Sequence, residues 1–74
     1  MDAKGLHMLA ELLKDPFTKQ AFADCLVSGA ITTENFDPDK PLTAEAQPEA
    51  VIHLTLPGLK AMEAREGELR RKAN

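Results

Sequence analysis

With 74 residues and a formal net charge of −3, the chain has room for one small domain, residues 1–74, whose core contributes only a few kcal/mol of net stability. The acidic balance argues against a polyanion as main ligand, and a single cysteine excludes an internal disulfide framework and fits a reducing compartment. No run approaches the ~20 apolar residues of a membrane span, and Met1-Asp2-Ala3-Lys4-Gly5 lacks a secretory pattern, so a cytoplasmic protein with no membrane partner is expected.

Residues 5–14 read as the first helix. Leu6, Met8, Leu9, Ala10, Leu12 and Leu13 cover well over half its circumference, and His7, Glu11 and Lys14 form the wet stripe. A helix that apolar needs cover on two sides. Leu6, Met8, Leu9, Leu12 and Leu13 are therefore the candidate interface with a partner or a second copy, and a homodimer is expected.

Asp15-Pro16 restarts the chain, because the residue before proline is pushed out of the helical region; Asp15 then serves as N-cap and Pro16 as first helical residue. The spacing predicts a second helix over 17–28, burying Phe17, Ala21, Phe22, Cys25 and Leu26 and turning Lys19, Gln20 and Asp24 outward. Gly29 is the expected left-handed cap, with Ile31 folding back on the last turn.

Residues 30–36 have strand composition, but Ile31 and Phe36 have opposite parity. Both can be buried only if the strand bends, bulges or ends before Phe36. Its expected partner is the strand over 51–56, paired antiparallel. Between them, residues 37–50 hold Pro38, Pro41 and Pro48, and set Asp37, Asp39, Glu45 and Glu49 against Lys40 alone. This is a long acidic loop, expected to be mobile, with Leu42 able to pin it to the body.

At Thr55 to Pro57 the pattern changes to helical spacing, Thr55 supplying an N-cap and Pro57 lying in the first turn. Leu59, Met62, Glu66 and Leu69 share a face of this last helix, and Glu66 with Arg70 and Glu68 with Lys72 are i,i+4 pairs. Gly67 costs about 1 kcal/mol relative to alanine, so residues 68–74 are expected to fray unless something holds them. The predicted class is α+β: two N-terminal helices, a two-stranded antiparallel hairpin and a C-terminal helix.

The inventory for catalysis is poor. Cys25 falls on an apolar face, His7 and His53 belong to no motif, and no glycine-rich phosphate loop, His-Glu-x-x-His or paired-carboxylate pattern is present. No enzymatic activity, cofactor or metal is expected.

Two stretches, Leu26-Val27-Ser28-Gly29-Ala30-Ile31-Thr32 and Leu54-Thr55-Leu56-Pro57-Gly58-Leu59-Lys60-Ala61-Met62-Glu63, resemble the wing strands and closing helix of small bacterial and phage winged-helix proteins. Only Asp15 stands where a full winged helix has a further helix, so the resemblance implies a reduced relative. It also implies that 17–28 is the recognition helix, offering Lys19 and Gln20 as nucleic-acid contacts, and 37–49 the wing; the basic residues instead gather at Arg65, Arg70, Arg71 and Lys72, the other candidate contacts. A negative wing beside phosphates costs binding where winged helices gain it. The favoured expectation is a small non-enzymatic regulator or adaptor, phage- or operon-encoded, that engages another protein through Asp37, Asp39, Glu45 and Glu49. A DNA-binding transcriptional regulator is the alternative.

Overall fold

The computed structural model describes residues 3–73; among these, the side chains of Ala3, Lys4 and Leu6 lie outside the description. The elements run α1 (Ala3–Leu12), α2 (Pro16–Ser28), β1 (Thr32–Glu34), β2 (Val51–His53) and α3 (Leu56–Ala73), which is the expected α+β order of helices and hairpin.

Local chemistry sets most of the boundaries. Asp15, held extended before Pro16 (φ −75°, ψ 123°), ends the first helical segment and caps the second: its Oδ1 accepts the N–H groups of Phe17 at 2.9 Å and Thr18 at 3.4 Å. At the other end of α2, Gly29 takes φ 84° and the Ile31 N–H donates to the Cys25 carbonyl at 3.2 Å. That return delivers Ile31 into the core, where it is 1% exposed.

The hairpin is shorter than its composition suggests. Thr32 pairs with His53, Thr33 with Ile52 and Glu34 with Val51, antiparallel. β1 stops at Glu34 because Asn35 adopts φ 54°, a left-handed turn that lets Phe36 swing inward against the edge of Phe22, ring centroids 6.2 Å apart and planes at 89°. The parity conflict is thus resolved by ending the strand. β2 stops at His53 because Thr55 already belongs to the next helix: Gly58 N–H donates to Thr55 Oγ1 at 3.1 Å and Leu59 N–H to the Thr55 carbonyl at 2.9 Å.

Leu9, Ala21, Phe22, Cys25, Ile31, Ile52 and Met62 form the core, with Leu13, Leu26, Phe36, Leu42, Leu59 and Leu69 packed around them. Gly58 is a point of close approach, since a Cβ there would lie 2.8 Å from the Ala30 carbonyl oxygen. The first turn of α3 therefore rests directly on the chain leaving α2. α2 and α3 pack together. Among the described residues no helix is long and apolar enough to cross a membrane.

Candidate functional site

The five candidate interface residues of the first helix divide. Leu9 is 2% exposed and so is not available to a partner, contrary to the sequence expectation, whereas Leu13 is partly buried against the core and keeps some exposed surface. The physical reason is that Leu9 joins the core cluster of Ala21, Phe22, Cys25, Ile31, Ile52 and Met62, with Leu13 packed against it. Met8 and Leu12, one turn apart, remain 61% and 55% exposed. The Leu6 side chain lies outside the described residues.

The candidate nucleic-acid contacts divide as well. Arg65 Nε bonds Asp24 Oδ2 at 2.7 Å and its Nη1 bonds Glu68 Oε2 at 2.9 Å, so Glu68 pairs here with Arg65. Arg70 Nη2 reaches Asp15 Oδ2 at 2.7 Å and Glu66 Oε1 at 2.6 Å, and its guanidinium stands 5.1 Å from the centre of the Phe17 ring. Gln20 donates to Asp24 Oδ1 at 2.9 Å. These groups tie α3 to α2 and hold the end of α3 in the chain itself. Lys19, Arg71 and Lys72 are exposed, with no ion pair to a described residue.

The clamps set the local ionisation. The Arg70 hydrogen bond, followed by the Phe17 N–H, holds the Asp15 carboxyl below the usual range; Arg65, followed by Gln20, does the same for Asp24. Burial pushes the Cys25 thiol up, away from the thiolate that nucleophilic chemistry needs.

Residues 37–50 contain no helix or strand, and they are organised around Gln47, which is 5% exposed. Its Oε1 accepts the Asp37 N–H at 2.8 Å, and its Nε2 donates to the carbonyls of Asp37 at 3.0 Å, Pro41 at 3.1 Å and Lys40 at 3.3 Å. Thr43 closes the return, its carbonyl accepting Gln47 N–H and its Oγ1 accepting Ala46 N–H. Asp37 turns partly inward to accept the Asp39 N–H at 2.9 Å, while the side chains of Asp39, Glu45 and Glu49 face solvent. Sequence reasoning missed Gln47, since an amide four residues after a threonine in a polar loop carries no specific signal.

Cys25 is buried in the core, whereas His53 is exposed, its Nε2 3.1 Å from Glu34 Oε2. Among the described residues no three His, Cys, Asp or Glu side chains assemble as a metal-ligating group. Comparison of the chain with protein-family models, with curated proteins and with solved structures finds no match.

Proposed function

We propose that this protein is a small non-enzymatic regulator or adaptor, winged-helix-like and of phage or operon origin, that acts in the cytoplasm by binding another protein. The observation that supports this reading is the acidic loop: Gln47 fastens its backbone from inside while Asp39, Glu45 and Glu49 stay in water. A loop fastened before binding loses less conformational freedom on association, and its carboxylates steer a basic patch toward it. The winged-helix character and the origin rest on the resemblance and on size. A homodimer through Met8 and Leu12 belongs to the same proposal, since among the described residues these are the large apolar side chains that α1 leaves exposed.

The test is capture from cell lysate by the intact chain and by the Asp39→Asn, Glu45→Gln, Glu49→Gln variant, with Asp37 left alone because it bonds the loop backbone. Loss of the captured protein with the variant is expected, and equal capture by both would remove the loop from the function.

DNA binding is the second reading, favoured by the exposed Arg71 and Lys72 on the last turn of α3. Titration with random duplex at ~50 mM salt decides it, because phosphate-driven binding weakens steeply as salt rises. A flat response eliminates DNA.

A further inference from the structure

Beside the acidic loop lies a cleft of about 300 Å³ between the end of α1, α2 and the first part of the loop. Its apolar wall includes Leu13, Phe22, Leu26, Phe36 and Leu42, and its charged lining consists of Lys19 and Lys40 with no carboxylate. Both lysines are exposed, and neither makes an ion pair with a described residue. In a chain with 12 acidic and 9 basic residues, an apolar cleft edged only by cations runs against the overall balance.

We propose that this cleft takes an amphipathic helical segment of the partner protein, its apolar side chains entering the cleft and its flanking carboxylates meeting Lys19 and Lys40. The proposal rests on the adaptor reading and adds the chemistry of the partner to it. The size points to side-chain anchors rather than a whole small ligand, since ligand pockets run from about 300 to 1,000 Å³ and this one stands at the lower limit. The charge points to acidic flanks, because matched potentials at a rim set partner choice and rate of encounter. Position points to the same protein that meets the loop: Pro38, Lys40 and Leu42 are cleft wall and loop at once. An amphipathic helix that lays anchors one turn apart into an apolar groove is a recurring mode of recognition.

The experiment titrates the full chain with two capped helical peptides, each with leucine and phenylalanine at i and i+4, one flanked by glutamates and the other by lysines. The glutamate peptide is expected to bind at least about tenfold more tightly, and Lys19→Glu with Lys40→Glu to reverse that preference. Ala23→Gln places a longer side chain on an exposed α2 position lining the cleft, and is expected to weaken both peptides while leaving the melting curve near wild type. Equal binding of the two peptides, or an unchanged preference in the charge-reversed variant, overturns the proposal. So does displacement by octanoate at the peptide's own concentration, which would make the occupant a small amphiphile. Dissociation of a dimer by the charge reversal, read by light scattering, would make it a second copy and overturn the proposal too. The adaptor reading stands or falls separately, on whether lysate capture depends on Asp39, Glu45 and Glu49.

Discussion

Gly29, Gly58 and Gly67 are glycines for different reasons, and substituting each by alanine separates them. At Gly58 an added Cβ meets the Ala30 carbonyl oxygen at 2.8 Å and Thr55 Oγ1 at 3.2 Å, so α3 must shift off the α2–β1 connection. Gly58→Ala should cost about 1 to 3 kcal/mol in urea unfolding, the usual range for overpacking. At Gly67 a Cβ would meet only Arg71 Nη1, at an ordinary 3.7 Å, and the site is helical. Gly67→Ala should therefore stabilise by up to about 1 kcal/mol, read as a rise of about 4 to 8 °C in Tm. Gly29→Ala faces open space but must hold φ 84°, and should cost about 1 to 2 kcal/mol from backbone conformation alone. The roles of Gly29 and Gly67 were legible in the sequence because they follow from the residue and its immediate neighbours. The role of Gly58 was not, because the atom that forbids a side chain there belongs to Ala30, remote along the chain.

Among the elements, the α2–α3 pair is tied by ionised carboxylates at the N-cap of α2, Asp15, and within the helix, Asp24. Asp15 and Asp24 both hold folded values below the unfolded value of about 3.9, so the unfolded chain binds the additional protons in acid. Their contribution is complete above about pH 4 and disappears as pH falls through the folded values. Asp15→Asn keeps a capping oxygen for Phe17 and Thr18 while removing the charge that Arg70 meets. Its Tm should lie below wild type at pH 7, and the gap should narrow as pH falls below about 4. A constant gap across that range would assign Arg70 to its contact with Phe17 instead. The loop gives an independent prediction. Gln47→Glu sets a carboxylate against the carbonyls of Asp37, Lys40 and Pro41, so the Asp37 amide should lose its protection from hydrogen exchange while amides in α2 keep theirs. The caps at Asp15, Gly29 and Thr55 could be read from local chemistry, and so could the pairing of the two strands. The lengths of the strands could not, since they depend on Asn35 turning left-handed and on Thr55 being taken by α3. Nor could the fastening by Gln47, because an amide that bonds four backbone groups looks, in sequence, like any other polar loop residue.

Across the whole molecule, the clamps occupy Arg65 and Arg70 with the chain's own carboxylates, while Asp39, Glu45 and Glu49 on the loop stay exposed to solvent. The same division runs through the apolar side chains of α1. Composition says that the helix is apolar over more than half its surface, but the sequence does not say which leucines the core takes. The fold takes Leu9 and Leu13 and leaves Met8 and Leu12. Leu9→Ala opens a cavity in a fully packed site and should cost about 2 to 5 kcal/mol. For a domain whose total stability is of the order of 5 to 15 kcal/mol, that is a large share, and it should be the same at every protein concentration. Leu12→Ala removes an exposed side chain and should stay within about 0.5 kcal/mol of wild type in dilute protein. If a second copy covers Met8 and Leu12, association adds stability by mass action, so the deficit of Leu12→Ala should grow as protein concentration rises while that of Leu9→Ala stays constant. Melting both variants over a hundredfold range of concentration, about 2.7 kcal/mol of leverage by linkage, reads the two faces of α1 separately. A Leu12→Ala deficit that is small and flat over that range would leave α1 without a homodimer role, and a large, flat one would mean that Leu12 is buried within the monomer.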